Sequence, residues 1–205
     1  MVFFVMLMQR VIRYTPITAN NFGIVDHSHD YGNGIIDNHM YCHVYHEGIG
    51  KKGGTNVASL IVKTLRKMQL LRDDEVGGEL NIIFDNCSGQ NKNNTVLKLA
   101  MWLKQMHYFK RVNFVFLIVG HMKNACDRLF NSLKHEYRKR NIFTMDELIV
   151  ALSVSDKITV DRTVTSNFLD YNAAFREFYN NLSGLVLNNH IFTCDSDDDE
   201  LIMTI

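Results

Sequence analysis

Two apolar runs, Leu80-Asn-Ile-Ile-Phe84 and Val112-Asn-Phe-Val-Phe-Leu-Ile-Val119, flank a helix-periodic segment, and this β-α-β cadence constrains the fold more than any other feature. Each run is short, rich in β-branched and aromatic residues, and closed by polar punctuation: Asp85-Asn-Cys-Ser-Gly after the first, Gly120-His121 after the second. Between them Val96, Leu97, Leu99, Ala100, Leu103 and Met106 recur at helical spacing and predict a helix over 92–107. Strands joined through a helix of that length pair in parallel with a right-handed crossover. An α/β domain follows, and a further helix is expected over 124–140.

The rest of the chain fits around that unit. MVFFVMLM at the start reads as a buried strand or helix, too short to span a membrane and without the basic segment and cleavage site of a signal peptide. Phe22-Gly-Ile-Val reads as a short strand, residues 26–38 as a loop or hairpin connection rich in His, Gly, Asp and Asn, and Met40–Glu47 as a second strand. After Gly48, Gly50, Gly53 and Gly54, Thr55 is placed to cap a helix running to about residue 71. Thr144-Met-Asp-Glu147 matches a capping box and opens a short helix. A strand near 158–164 and an aromatic helix near 167–179 complete the body, and Asp195-Ser-Asp-Asp-Asp-Glu200 reads as a solvated tail.

Composition narrows the function classes. The chain has 205 residues, 46% hydrophobic and 21% charged, which is globular usage and long enough for a real core. Lys plus Arg and Asp plus Glu both number 22, so the whole-chain charge gives no attraction to a polyanion and any such claim rests on local patches. Cys42, Cys87, Cys126 and Cys194 are far apart with no paired spacing, which excludes a disulfide framework and favours a reducing, intracellular compartment.

Asp85 and Asp127 occupy related places: one at the carboxyl end of an apolar strand, the other a turn into the helix after the next strand. In open α/β sheets these positions converge on one edge, where ligands bind. Paired carboxylates need a shared proton or a cation, and an oxygen-rich site suits Mg²⁺ or Mn²⁺. The amides of Asn86, Gln90, Asn91 and Asn93 and the Lys92 ammonium crowd the same loop and could face metal-bound water or phosphate. Asn124, Asp127, Asn131 and Lys134 share one helix face, which makes Asp127 a better partner than Glu136. Lys123, Arg128, Lys134, Arg138, Lys139 and Arg140 outnumber Asp127 and Glu136, giving a local basic surface. The plainer alternative makes both acids turn and cap residues and the basic stretch a solvated face.

Other constellations are weaker. His27, His29, His39, Cys42, His43 and His46 follow no zinc template, and strand alternation sets Cys42 and His46 opposite His43. Cys87 or Cys126 with His121 allows a cysteine nucleophile, although buried structural cysteines are commoner. Ser88-Gly-Gln-Asn-Lys lacks the P-loop order of Gly and Lys followed by Ser or Thr. The ring series Phe168, Tyr171, Phe175, Phe178 and Tyr179 reads as core.

Asp85-Asn-Cys-Ser-Gly-Gln-Asn-Lys-Asn-Asn94 and Val119-Gly-His-Met-Lys-Asn-Ala-Cys-Asp-Arg-Leu-Phe130, with Asn21-Phe-Gly-Ile-Val-Asp26 and Tyr45-His-Glu-Gly-Ile-Gly-Lys-Lys-Gly-Gly-Thr-Asn-Val-Ala-Ser59, resemble an uncharacterised transposase-like family of eukaryotic genomes. Its domain is similar to the ribonuclease-H-like fold of the DDE transposase and retroviral integrase superfamily. That resemblance implies a mixed sheet flanked by helices, two divalent metals held by three acids, and DNA cleavage or strand transfer. By position Asp85 would be the second acid and Asp127 the third, with His121 beside them. Asn86, Gln90, Asn91 and Lys92 would hold water or phosphate, and Lys123, Arg128 and Lys134 would contact the DNA backbone. The first acid belongs on a strand before Phe22, yet residues 1–21 contain no Asp or Glu. The expectation is therefore a truncated core over 1–145 lacking its first strand, a C-terminal extension over 146–188 packing on that core, and an acidic, disordered tail over 189–205. Mg²⁺ or Mn²⁺ as cofactor, DNA as partner, no membrane and, by analogy, nuclear residence accompany that reading. The competing expectation is a non-catalytic interaction or DNA-binding module, or a remnant without selected function.

Overall fold

The computed structural model describes residues 2–10, 18–32, 34–85, 87, 89–117, 125–153, 155–182, 186, 189–195 and 201–204, with 2–10, 125 and 201–204 described by their backbone alone. The chain is mixed α/β and divides into two compact units, one of residues 1–2, 52–121 and 167–205, the other of residues 3–51 and 122–166.

The first unit is built on the expected β-α-β segment. Strand β4 (Gly77–Phe84) and strand β5 (Phe109–Phe116) run parallel in register from Gly77 opposite Phe109 to Phe84 opposite Phe116. Alternation buries Leu80, Ile82 and Phe84 on one strand and Val112, Phe114 and Phe116 on the other. Helix α2 (Asn94–Gln105) joins them, its buried side formed by Val96, Leu97, Leu99, Ala100 and Leu103. Helix α1 (Gly54–Lys67) buries Val57, Leu60, Ile61 and Leu65, and helix α5 (Tyr171–Phe178) buries Tyr171 and Phe175. Trp102 meets the rings of Tyr171 and Phe175 at 6.2 and 6.4 Å, and these two and Tyr179 are core as expected; Phe168 is only half-buried, and the expectation is corrected at Phe178, which points to solvent on the far side of α5. Thr55 does not cap α1: the N-cap is Gly53, whose carbonyl accepts the Val57 N–H, and no side chain caps this end.

The acidic C-terminal segment needs correction. Strand β7 (Ile191–Cys194) pairs antiparallel with β5, Val112 opposite Cys194, and strand β8 (Leu201–Thr204) pairs antiparallel with β7. Residues 189–205 are therefore not a disordered tail throughout. Phe192 is fully buried and meets Phe116 edge to face at 5.6 Å, so apolar burial holds β7 in place beside the acidic block.

In the second unit, strands β1 (Val2–Arg10), β2 (Ala19–Asp30) and β3 (Ile36–His46) form an antiparallel meander, and strand β6 (Ile158–Arg162) adds parallel to β3. The β2–β3 hairpin is longer than the 26–38 loop expected; its turn is compressed to residues 31–35, where Gly32 and Gly34 hold positive φ. The opening run, expected as a buried strand or helix, is strand β1, and it pairs with β2 from Phe3 opposite Asp26 to Arg10 opposite Asn20, so a strand does precede Phe22. Its sequence, VFFVMLMQR, carries no carboxylate.

Helix α3 (Ala125–Arg138) and helix α4 (Met145–Leu152) cover one face of that sheet. The core there contains Val25, Met40, Cys42, Val44, Phe130, Leu133, Leu148, Leu152 and Ile158. Alternation sets His39, Tyr41, His43 and Tyr45 on the opposite face. The capping box that opens α4 is present in full: Thr144 Oγ1 accepts from Glu147 N, and Glu147 accepts from Thr144 N.

Candidate functional site

Asp85 follows the last buried residue of β4, where the apolar run gives way to a polar loop. Sheet pairing continues one step past the strands, because Leu117 N donates to Phe84 O at 2.9 Å, so the end of β4 is held on the β5 side. The loop then closes on a single acceptor: Gln90, Asn91 and Lys92 N–H groups donate to the Cys87 carbonyl at 3.1, 2.8 and 3.2 Å. Asn93 ends the loop by capping α2, accepting from Val96 N at 3.1 Å and donating its side-chain amide to Gln90 O at 2.8 Å. Within this frame the Asn91 side chain donates from Nδ2 to Asp85 Oδ1.

The expected phosphate-facing residues of this loop divide. Gln90 is half-buried and Gly89 exposed. Asn91 and Lys92 are only 1% and 2% exposed, which corrects their placement as phosphate contacts: a DNA backbone does not reach groups so enclosed. The Lys92 Nζ lies 5.8 Å from the centre of the Phe116 ring, and burial pulls its ammonium below the ordinary lysine range. Asn86, His121 and Lys123 lie outside the described residues.

Asp127 stands in the first turn of α3, half-buried, where a carboxylate complements the helix dipole. On the same helix Arg128 is exposed and Lys134 half-buried, so both remain candidates for backbone phosphate. Glu136 is engaged by Lys139 at 2.9 Å, and that ammonium holds its carboxyl below the usual range. Asp85 belongs to the first unit and Asp127 to the second.

The His and Cys residues weighed for zinc fall into different surroundings. Cys42 is in the core beneath α3, and burial pushes its thiol up to about 12. His39 lies 2.8 Å from both the Tyr31 hydroxyl and Thr159 Oγ1 and stacks on His29 at 4.3 Å, while His43 Nδ1 is 3.9 Å from Asp161. Cys126 is buried and Cys87 half-buried. Among the described residues no three His, Cys, Asp or Glu gather where a metal could be held. Nor, among them, is any helix long and apolar enough to cross a membrane.

Two structural roles escaped sequence reasoning. The Asn91 clamp on Asp85 carries no local signature, since Asn is equally at home in a turn. Lys98, which the sequence did not single out, is buried and donates to Tyr179 O and Asn181 Oδ1; its place among Val96, Leu97, Leu99 and Ala100 was the one available signal.

A family model described as "Domain of unknown function (DUF7869)" matches residues 17–205, and the chain belongs to that family. No curated protein and no solved structure matches the chain.

Proposed function

We propose that the chain is a transposon-derived, ribonuclease-H-like domain resembling a metal-dependent DNA strand-transfer or cleavage enzyme, with Asp85 as its principal cation ligand. The observation that carries this reading is the placement of Asp85: a carboxylate at the carboxyl end of a strand in a parallel β-α-β unit, steadied by a buried amide. Chain order adds support, with an antiparallel meander (β1, β2, β3) preceding the parallel β4-α2-β5 segment.

Asp85 offers one carboxylate ligand, and the described residues do not supply the full acid set of a two-metal centre. When bound, a divalent cation supplies charge stabilisation at a phosphoryl oxygen. Asp127, His121 and Asn86 enter this reading through the resemblance. Because β1 carries no acid, the strand-transfer chemistry of this copy is impaired, as loss of a ligand at a metal centre costs orders of magnitude.

Titration of Mn²⁺ or Mg²⁺ followed by calorimetry tests the reading on the wild type and Asp85→Asn. Binding by the wild type that Asp85→Asn weakens at least tenfold is expected; no binding by either protein, or equal binding by both, rejects it.

A non-catalytic DNA-binding module is the second reading, favoured by the exposed cations Arg128, Arg138, Lys139 and Arg140 of α3 and the turn after it. It predicts metal-independent DNA binding that falls steeply with salt and survives Asp85→Asn.

A further inference from the structure

We propose that the corner between α3 and α4 is a contact for an unpaired DNA strand, with Arg138 and Arg140 on its phosphates and the Phe143 ring stacked on a base. The inference rests on the DNA-binding reading, names the strand form that this surface takes, and requires nothing of Asp85.

Helix α3 sorts its residues by side. Cys126, Phe130 and Leu133 are buried in the core, and Leu129 and Tyr137 pack beside them. The opposite side carries Arg128, Asn131, Ser132, His135 and Arg138, all exposed and recurring at helical spacing, and exposed Lys139 and Arg140 continue it into the turn. The acids around the corner are already engaged: Glu136 by Lys139 at 2.9 Å, Asp146 by Arg162, and Glu147 by the N–H groups of Phe143 and Thr144. Among the described residues Arg138 and Arg140 make no ion pair, so both guanidinium groups are left to meet an anion from outside.

Phe143 supplies what a merely solvated basic face lacks. It precedes Thr144, the N-cap of α4, where an apolar residue ordinarily closes over the fourth helical residue, here Leu148. Leu148 is fully buried, yet Phe143 is left 71% exposed. Its backbone is nonetheless fixed. Phe143 N donates to Glu147 Oε2 at 2.7 Å, Ile142 packs against the core, and Arg140 N donates to Tyr137 O at 3.4 Å. A ring anchored through its backbone and offered to water, three residues beyond an uncommitted guanidinium, combines a stacking surface with a phosphate contact. Base pairs in a duplex are stacked on one another and hide their faces, so such a ring selects an unpaired strand.

Fluorescence anisotropy of an end-labelled DNA of about fifteen nucleotides, single-stranded or annealed to its complement, tests this on the full chain in the presence of EDTA. The wild type is expected to bind the single strand more tightly than the duplex. Phe143→Ala should lose about five- to a hundredfold in single-strand affinity, the range for one stacked base, with its salt dependence unchanged. Arg138→Gln combined with Arg140→Gln should instead lower the slope of log K against log salt by about 1.4, the counterion release of two phosphates on a single strand. All three side chains are exposed, so the variants should melt within a few degrees of the wild type. Phe143→Trp, whose emission a stacked base quenches, reads the same contact without truncating it. Binding by Phe143→Ala within twofold of wild type, an unquenched Phe143→Trp, an unchanged salt slope in the arginine variant, or tighter binding of the duplex overturns the proposal and leaves the DNA-binding reading standing. Absence of binding to either DNA at low salt overturns both.

Discussion

Gly54 approaches Asn93 so closely that a Cβ added to it would stand 2.2 Å from Asn93 Oδ1 and 2.8 Å from its Cγ. That same Oδ1 caps α2 by accepting from Val96 N, so the first residue of α1 and the cap of α2 share one small volume. Gly54→Ala is expected to displace Asn93 and cost about 1–3 kcal/mol, the range of overpacking combined with a lost cap. Gly53→Ala, where an added Cβ meets nothing within 4 Å, is expected to cost less. Urea midpoints of the two variants check the order.

A second close approach lies in the core beneath α3. A Cβ on Gly23 would come within 2.5 Å of Met40 Cε and 2.6 Å of Phe130 Cζ. Met40 ends in a flexible thioether and can yield, whereas the Phe130 ring is buried and cannot turn aside. Gly23→Ala should therefore destabilise by about 1–3 kcal/mol, and adding Phe130→Leu should make the two costs non-additive. A double-mutant cycle by chemical denaturation measures the coupling; strict additivity would contradict the contact.

Lys98, 3% exposed, donates to Tyr179 O at 3.0 Å and Asn181 Oδ1 at 3.1 Å, tying α2 to the chain after α5. Burial, and then the Arg176 charge, lower its ammonium below the ordinary lysine value. Lys98→Met retains the aliphatic stem but strands the Tyr179 carbonyl, and a loss of about 1–3 kcal/mol is expected. Hydrogen exchange should show the accompanying loss of protection concentrated at residues 175–181.

Glu147 gives α4 a measurable acid dependence. Its carboxylate accepts from Phe143 N at 2.7 Å and Thr144 N at 3.0 Å, and these two donors, Phe143 first, hold it below the ordinary 4.5. A folded-state value below the unfolded one makes its contribution fully present above about pH 4.5 and lost as pH falls through the lowered value. Glu147→Gln should be less stable than wild type near neutral pH, and the gap should close in acid. A gap of equal size at both pH extremes would show that the charge plays no part.

The thiols should separate by reactivity. Burial pushes Cys42 and Cys194 up to about 12, whereas Cys87 is half-buried in the loop after β4. An alkylating reagent near pH 8 should label Cys87 first, and Cys87→Ala should remove the fast phase while Cys42 stays protected until unfolding. Peptide mapping over time reads this directly.

Much of the fold was legible because its signals are local. The alternation of Leu80, Ile82 and Phe84, the helical spacing of Val96 through Leu103, and Thr144 with Glu147 each depend on residues within a few positions of one another. What misled was equally specific. The charge of Asp195 to Glu200 hid the apolar Phe192 beside it, and Thr55 offered a hydroxyl at a helix start that the glycines before it set two residues earlier. Lys92 and Asn91 looked like surface groups because their residue types usually are.

From the linear order of residues follow the α/β character, the parallel β4-α2-β5 unit and the polar loop that begins at Asp85, since period and punctuation need only neighbours along the chain. Tertiary packing alone chose that β7 would lie against β5, that Lys92 would turn inward toward Phe116, and that Asn91 would clamp the Asp85 carboxylate. Burial and partnership depend on atoms brought in from distant stretches of chain, and no spacing rule within a single stretch encodes them.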